Sequence, residues 1–202
     1  MKGVVIRLPT FTEKEVVGVC EACQFGKQHR QPFPKEKNVS EGTLDVVHLD
    51  VWGPTQIATF GGCRYYVTFV DDFSRHSWIY PMSEKSEVFG RFQRFKNKVE
   101  KDTSRHIQCL QSDGGKEYFS DDFTTYLRKE GFRLEFSCRH TPQQNGLAEL
   151  KIRHILEVAR ETMNEKNMSK SYWAEAANAA VYLMNRCAIS GVHEITPHEK
   201  FF

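Results

Sequence analysis

The sequence predicts a mixed α/β domain in which a five-stranded sheet is flanked by helices. Three observations support this fold class: β-rich runs open the compact part, later β-rich runs alternate with amphipathic stretches, and two long helical stretches follow. Hydrophobic residues make up 40% and charged residues 27% of the 202 residues, which gives the chain the composition of a globular protein with a sizeable core.

The first three β-rich runs predict an antiparallel meander. Residues 44–52 are nearly continuous apolar sequence that stops at a Gly-Pro pair, which predicts a strand buried on both faces. Runs 65–70 and 76–82 flank a short polar turn and predict a hairpin.

Helices and strands alternate in the next part of the chain. Residues 86–103 predict a helix because apolar residues recur there at spacings of four, three and four: Val88, Phe92, Phe95 and Val99. A short strand at 107–112 and a short helix at 121–129 follow. Gly131 predicts the end of that helix, and residues 132–136 form the fifth predicted strand.

Two long helices, near 145–166 and 171–186, complete the predicted elements. They follow the order βββαβαβ. This order of elements is that of the RNase H-like fold.

Three carboxylates stand at predicted element ends. Asp50 interrupts the end of the first apolar run, Asp113 follows the strand at 107–112, and Glu149 opens a long helix. Glu149 lies three residues before an apolar stripe and extends it towards the helix–sheet interface; the stripe is Ile152, Leu156, Ala159 and Met163. Taken singly, each carboxylate could be a turn residue, a cap or a solvated charge.

Together these carboxylates point to metal chemistry. Buried carboxylates are costly unless they are paired or bound to cations. Three of them converging would form an oxygen-rich pocket suited to Mg²⁺ or Mn²⁺. Such a pocket serves two-metal phosphoryl transfer on nucleic acid.

From Val47 to Asn185 the chain resembles the integrase core of copia-type long-terminal-repeat retrotransposons. The stretches that carry the resemblance are His-Leu-Asp-Val-Trp-Gly-Pro (48–54), Tyr-Tyr-Val-Thr-Phe-Val-Asp-Asp-Phe-Ser-Arg (65–75), Gln-Ser-Asp-Gly-Gly-Lys-Glu-Tyr-Phe (111–119), His-Thr-Pro-Gln-Gln-Asn-Gly-Leu-Ala-Glu (140–149) and Tyr-Trp-Ala-Glu-Ala (172–176). The resemblance implies a retroviral-type integrase fold in which Asp50, Asp113 and Glu149 are the metal-binding catalytic carboxylates.

The resemblance also implies a function. A member of this family is a polynucleotidyl transferase that trims 3′ DNA ends and joins them to target DNA with two Mg²⁺ or Mn²⁺ ions. It implies DNA ends and target DNA as partners, a homo-oligomer as the functional form, and an intracellular location in a cytoplasmic particle before integration in the nucleus. Two alternatives stay open: a catalytically inactive nucleic-acid-binding remnant, and an RNase H-type nuclease.

Candidate nucleic-acid contacts lie on either side of Glu149. The net charge is only +2, so any basic footprint has to be local. The amides of the loop before Glu149 and the cations after it can bond phosphates, sugars or base edges: Gln143, Gln144, Asn145, Lys151 and Arg153. The alternative for the two cations is a solvated helix face. Compared with the family pattern, Leu150 replaces an arginine and removes one phosphate contact.

The domain organisation follows from the same patterns. Residues 1–38 are expected to be a truncated zinc-binding pre-integrase remnant with a basic linker, 39–190 the integrase catalytic core, and 191–202 the start of a C-terminal linker. The family's zinc module has two histidines before Cys20-x-x-Cys23, and this chain has none there. Two thiolates fall short of the four ligands of a structural zinc site, so zinc is not expected unless His29 or a second chain supplies ligands.

The cellular compartment is predicted from cysteine spacing and hydropathy. Among the six cysteines only Cys20 and Cys23 are closely spaced, which favours a reducing interior over a disulfide framework. No signal-peptide pattern occurs in residues 1–19 and no apolar run is long enough to span a membrane, so no membrane partner is expected.

Overall fold

The computed structural model describes residues 40–112, 120–136, 142–187 and 195–202, and describes side chains in the third range only from Leu147 onward. The described residues belong to one unit of the chain, Asn38–Phe202. Several predictions concern residues outside these ranges: the zinc-module remnant with Cys20 and Cys23, the carboxylate of Asp113, and the side chains of Gln143, Gln144 and Asn145.

Five strands form one mixed sheet within the described residues, as the sequence predicts. Their order across the sheet is β3-β2-β1-β4-β5. The two pairs β1–β2 and β2–β3 are antiparallel, whereas β1–β4 and β4–β5 are parallel. The strands are β1 (Val46–Trp52), β2 (Tyr65–Asp71), β3 (Ser77–Met82), β4 (Cys109–Ser112) and β5 (Arg133–Phe136). The chain therefore has an RNase H-like fold.

The register of β1 corrects one detail of the prediction. Asp50 pairs with Thr68, and two more strand residues follow it before the strand ends at Trp52. The strand is also not buried on both faces throughout, because its last three residues are half-buried. Asp50 therefore lies inside a pleated strand, where it is paired with Thr68 of β2.

Helices cover both faces of the sheet. The described helices are α1 (Val88–Thr103), α2 (Asp121–Lys129), α3 (Pro142–Glu165), α4 (Trp173–Arg186) and α5 (Pro197–Phe201). Short 3₁₀ turns at Lys85–Glu87 and Lys170–Tyr172 precede α1 and α4. The first four helices confirm the predicted ones, with α3 beginning a few residues earlier than its apolar period suggests.

One core layer lies between the sheet and helices α1 and α2. The stripe predicted for α1 is buried there: Val88, Phe92, Phe95 and Val99 are at most 1% exposed. Phe69 of β2 stacks on Phe95 with ring centroids 4.3 Å apart. Burying each such ring stabilises the fold by roughly 1.5–3 kcal/mol, so this layer is a main source of stability.

The second core layer lies on the opposite face, under α3 and α4. Tyr66 and Ile79 of the sheet pack there with Ile152 and Ile155 of α3 and with Trp173 of α4. Helix α3 contacts β1, β2 and α4, so it is held from two sides. This arrangement fixes α3 against the strand that carries Asp50.

Two adjacent aspartates organise the turn between β2 and β3. Asp71 is fully buried and accepts hydrogen bonds from the Leu44 backbone N–H (2.8 Å) and from the Ser74 hydroxyl (2.6 Å), yet burial outweighs these bonds and raises its pKa. Burial also acts to raise the pKa of Asp72. There, hydrogen bonds and the charge of Arg75 outweigh burial and hold the pKa well below its usual range.

The partners of Asp72 come from three separate parts of the chain. Its carboxylate accepts from the Ser40 hydroxyl at 2.9 Å, lies 3.1 Å from His48 Nε2, and accepts from Arg75 Nη1 at 2.8 Å. His48 thereby helps to hold this turn. The turn ties the start of the described core to the first hairpin.

Helix α5 lies within a segment that the sequence pattern assigns to a linker. Phe201 is 4% exposed and packs against Trp78 with ring centroids 4.8 Å apart. His198 Nδ1 lies 3.4 Å from His76 Nε2. The helix begins with Pro197 and with a capping box between Thr196 and Glu199. These contacts attach residues 196–202 to the core layer under α1.

The outer edge strand β3 is bound by a side chain of α4. Asn185 Nδ2 donates to the Ser77 carbonyl oxygen at 2.8 Å, and its Oδ1 accepts from the Ser77 N–H at 3.0 Å. Asn185 is 4% exposed, so both bonds are shielded from water. The amide thus satisfies the outward-facing backbone groups of this residue.

Across the described ranges, no helix combines the length and the apolar character that crossing a membrane requires.

Candidate functional site

The site is built around Asp50 in the middle of the sheet. Side chains alternate along β1, so Asp50 lies on the same face as His48 and Trp52, the face that α3 and α4 cover. Its Oδ1 accepts a hydrogen bond from the Val51 N–H at 2.8 Å. The carboxylate is half-buried, and the N–H of the next residue holds one of its oxygens.

Two buried hydroxyls lie beside Asp50 on this face. Thr68 is the cross-strand partner of Asp50, and Tyr66 is the partner of Trp52. Both side chains are fully buried, and within the described residues neither hydroxyl has a hydrogen-bond partner. Burial raises the pKa of Tyr66, and the negative charge of Asp50 raises it further. The phenol therefore stays neutral.

Glu149 is in α3, as predicted, but its side chain is exposed. The apolar spacing predicts that Glu149 extends the buried stripe. In the structure the stripe begins at Ala148 instead and continues through Ile152 and Ala159, while Leu156 and Met163 are half-buried. Glu149 is one residue past Ala148 and so points about 100° away from it. The carboxylate is presented to solvent on a helix that contacts β1 and β2.

Asp113 lies just outside the described residues. The residue before it, Ser112, ends β4 and pairs with Leu49, the residue before Asp50. Among the described residues, which exclude Asp113, no three His, Cys, Asp or Glu side chains form a group that could hold a metal ion. The convergence of all three carboxylates therefore stays a prediction.

The two cations predicted to contact nucleic acid differ in exposure. Arg153 is exposed, in keeping with the prediction. Lys151 is only 7% exposed, so a direct phosphate contact by its side chain is not supported. Its burial, with the charge of Arg75, lowers the pKa of Lys151 to about 8. Lys151 is buried because α3 is packed on the sheet and on α4, so the buried arc of the helix is wider than one apolar stripe. Its contact with nucleic acid stays a prediction.

An aromatic cluster beside Asp50 has no counterpart in the sequence predictions. Trp52 lies 5.1 Å from Tyr66 and 5.8 Å from Trp173, measured between ring centroids. These residues come from β1, β2 and α4, so no periodic pattern in one segment identifies them. The only sequence signal is that aromatic residues occur at several element ends.

The chain matches the family model for the integrase core domain over residues 41–142. This range includes Asp50, the whole sheet and the start of α3. The chain belongs to the integrase core domain family.

Curated relatives of this integrase core domain include polyproteins of plant transposons. It is 41% identical over 179 residues to the retrovirus-related Pol polyprotein from transposon TNT 1-94 of Nicotiana tabacum, covering 89% of the chain and 14% of that polyprotein. It is 35% identical over 195 residues to the one from transposon RE2 of Arabidopsis thaliana, covering 96% and 13%. The chain thus spans about a seventh of the length of these relatives.

Solved structures of retroviral integrases share the fold of this integrase core domain. One is a simian T-cell lymphotropic virus intasome, with TM-score 0.72 and 16% identity over 90% of this chain and 63% of that one. Another is the HTLV-2 integrase catalytic core domain in complex with magnesium, with TM-score 0.60 and 15% identity over 80% and 99%. At this identity the likeness establishes the RNase H-like fold.

Proposed function

We propose that this chain is the catalytic core of an integrase, a polynucleotidyl transferase that trims 3′ DNA ends and joins them to target DNA. The observation that carries the proposal is the parallel pairing of β1 with β4, in which Leu49 pairs with Ser112. Continued by one residue, the same register would bring Asp113 next to Asp50. The family membership makes this pair the expected place for the chemistry.

The donor set fits a divalent cation. Asp50 and Asp113 at neighbouring strands and Glu149 on a helix that contacts β1 would offer carboxylate oxygens, the ligands that Mg²⁺ and Mn²⁺ prefer. When two such ions are bound, they supply Lewis acidity that activates the attacking oxygen and stabilises the leaving one. The magnesium complex of the HTLV-2 core domain supports this choice of metal.

The protein's own groups fix the acidic site. The Val51 N–H holds one oxygen of Asp50 and so limits rotation of the carboxylate. Trp52 and the buried Tyr66 form an apolar wall on the same face, which excludes water from one side of the carboxylate and strengthens its charge interactions. Glu149, being exposed, is able to approach from the solvent side.

The reaction consists of two displacements at phosphorus. In trimming, a water oxygen bonds to the phosphorus, the bond to the 3′-oxygen breaks, and the new 3′-hydroxyl takes up a proton. In joining, that 3′-hydroxyl oxygen bonds to a target phosphorus, and the target's own 3′-oxygen leaves and is protonated. Neither step needs an oxidant or a covalent protein intermediate.

Partners and location follow from the same proposal. The exposed Arg153 offers a phosphate contact, and the amides of Gln143, Gln144 and Asn145 are proposed to contact DNA. The solved neighbours are described as an intasome and as a trimeric form, which supports a homo-oligomer as the working assembly. Its action would take place in the nucleus, after a cytoplasmic particle stage.

One observation favours the second candidate, an inactive nucleic-acid-binding remnant. Lys151 is buried and Leu150 is 45% exposed where the family pattern has arginine, so this part of α3 offers fewer cations to DNA than the family motif does. A smaller number of cations would weaken the binding of DNA and therefore strand transfer, while the fold would be kept.

A strand-transfer assay tests the proposal. With Mg²⁺ or Mn²⁺, the full chain is expected to join a labelled 3′ end to target DNA. Asp50→Asn, Asp113→Asn and Glu149→Gln should each lower the rate about a hundredfold or more, because each removes a metal ligand. The matched control is Glu157→Gln, which replaces an exposed glutamate on the same helix and should leave the rate unchanged.

Other outcomes identify the rivals. DNA binding without joining or trimming, unchanged by the three substitutions, would favour the inactive remnant. Cleavage confined to the RNA strand of an RNA–DNA hybrid would favour the RNase H-type nuclease and overturn the integrase proposal.

A further inference from the structure

The loop between β1 and β2 has a fixed shape. Backbone bonds cross it from Thr55 N–H to the Arg64 carbonyl (2.8 Å) and from Thr59 N–H to the Cys63 carbonyl (3.0 Å). The Arg64 guanidinium also donates to the Thr55 carbonyl at 3.0 Å. Gly53, at φ +125°, opens the loop where a Cβ would lie 2.6 Å from the Arg64 carbonyl oxygen. The loop therefore closes tightly on itself.

The tip of this loop presents an aromatic ring to solvent. Phe60 is 71% exposed and packs edge-on against Tyr172, with ring centroids 5.0 Å apart and an interplanar angle of 65°. Tyr172 is itself 40% exposed. Single exposed apolar residues are ordinary, but here two rings from distant segments touch and both remain open to solvent. The Phe60–Tyr172 pair is thus a preformed aromatic surface.

This pair is connected to the strand that carries Asp50. The Trp173 indole N–H donates to the Ile57 carbonyl at 3.1 Å, which fixes the loop to the start of α4. The ring of Trp173 in turn contacts Trp52, two residues after Asp50. The loop itself leaves β1 directly after Trp52. The aromatic surface is therefore connected, through Trp173 and Trp52, to the end of the strand that carries Asp50.

The two segments that carry Phe60 and Tyr172 have a positive charge, which suits binding of a polyanion. Residues 53–64 and 166–172 contain no aspartate or glutamate, and they contribute three cations: Arg64, Lys166 and Lys170. Lys166 pairs with the preceding Glu165 at 2.7 Å, so the positive charge offered to a polyanion comes from Arg64 and Lys170. Aromatic rings stack on nucleobases of any sequence while neighbouring cations attract the phosphates. An exposed ring pair whose segments also carry Arg64 and Lys170 has the composition of a single-strand contact.

We propose that Phe60 and Tyr172 form a stacking surface for an unpaired nucleobase of the DNA next to the catalytic site. This inference rests on the proposed integrase function and specifies how its substrate is held. A base at the frayed or trimmed end of the DNA would stack on the Phe60 ring while its phosphates face Arg64 or Lys170. Duplex DNA, whose bases are stacked within the helix, would gain nothing from these rings.

Binding measurements with the full chain test the stacking surface. Labelled DNA with a short single-stranded overhang is compared with a blunt duplex and with the same overhang made of abasic sugar-phosphate. Phe60→Ala and Tyr172→Ala should weaken binding of the overhang DNA about tenfold, and Phe60→Trp should retain it. Binding of the blunt and abasic DNA should change by less than about twofold, because there is no base to stack.

The matched control is Phe202→Ala. Phe202 is 63% exposed and lies beside His76, whereas the loop is bonded to Met82 at the other end of β3. Its loss should leave DNA binding unchanged. A far-ultraviolet circular dichroism spectrum and a melting curve establish that each variant is folded.

The outcomes separate this inference from the proposed function. If the wild-type chain joins DNA but Phe60→Ala binds all three DNAs as the wild type does, only the stacking surface is overturned. If the wild-type chain neither binds nor joins DNA, both proposals fall. If Phe60→Ala leaves overhang binding intact but dissociates an oligomer in sedimentation, the surface is a contact between copies of the chain.

Discussion

At the scale of single residues, Lys151 shows how α3 is packed. Lys151 is only 7% exposed, and no described residue forms an ion pair with it. Burial and the charge of Arg75 lower its pKa from 10.5 to about 8, a shift that corresponds to a cost on the order of 3 kcal/mol at neutral pH. The ammonium group is therefore a source of instability in the folded state.

Replacing Lys151 by methionine should stabilise the protein. Methionine keeps the length and apolar character of the stem, so Lys151→Met should raise the free energy of unfolding at pH 7 by about 1–3 kcal/mol. The unfolded chain binds more protons than the folded one between pH 8 and 10.5, so wild-type stability should rise with pH in that window. The difference in the free energy of unfolding between Lys151→Met and the wild type should therefore shrink as the pH rises from 8 to 10.5.

Urea unfolding at several pH values between 7 and 10.5 measures this effect. Arg153→Met, which changes an exposed cation on the same helix, serves as the control and should alter stability by no more than about 0.5 kcal/mol. A Lys151→Met variant less stable than the wild type at pH 7 would mean that the ammonium group is compensated in the folded protein.

At the scale of elements, the turn between β2 and β3 depends on Asp72. Asp72→Asn should lower the free energy of unfolding by about 1.5–3 kcal/mol at pH 7, because hydrogen bonds to a charged acceptor become neutral ones. The folded-state pKa of Asp72 lies well below its ordinary value of 3.8. The stabilisation is therefore complete above about pH 4 and is lost as the pH falls through the folded-state pKa.

Denaturant unfolding of Asp72→Asn between pH 3 and 7 checks this expectation. The difference from the wild type should be largest at neutral pH and should narrow in acid. Glu161→Gln, an exposed carboxylate on α3, is the control and should show no such trend. A constant difference across the whole range would mean that the pKa of Asp72 is the same in the folded and the unfolded protein.

Elements specified by local patterns could be predicted from the sequence. The α1 stripe and the bounds of α2 follow from periodicity and from Gly131, which adopts φ +76° just past the helix. Helix α5 has local signals too, a proline at its first position and a capping box, but its five residues are too few for an apolar period. The start of α3 was also not predicted, because the helix begins before its apolar stripe and no apolar period marks its first residues.

Features that depend on packing between elements could not be predicted. The burial of Lys151 arises because α3 contacts both the sheet and α4, and a sequence pattern does not give the width of a buried arc. The exposure of Glu149 follows from the orientation of α3, in which the neighbouring Ala148 faces the core. The candidate carboxylates stand out in the sequence by their positions near element ends and by the family resemblance, and their convergence stays a prediction.

At the scale of the whole molecule, metal binding should be visible in the stability of the fold. A ligand that binds only the folded state at a free concentration of 100 times its Kd adds about 2.7 kcal/mol. Mg²⁺ or Mn²⁺ should therefore raise the melting temperature of the wild type by several degrees, at about 2–4 °C for each kcal/mol. Asp50→Asn and Asp113→Asn should lose most of this rise.

Differential scanning calorimetry with and without Mg²⁺ measures this stabilisation. Asp102→Asn, an exposed aspartate at the end of α1, is the control and should respond to the metal as the wild type does. An equal rise in the wild type, Asp50→Asn and Asp113→Asn would place the bound cation elsewhere on the protein. No rise in any of them at millimolar metal would count against the metal site.

The two hydrogen bonds between Asn185 and Ser77 also affect self-association of the protein. An outer strand with unoccupied backbone groups invites a strand of another chain to pair with it, which is a common route to aggregation. The Asn185 amide takes the position that the first rung of such an added strand would need. A helix side chain therefore blocks the pairing of a further strand at this residue of β3 and so opposes aggregation.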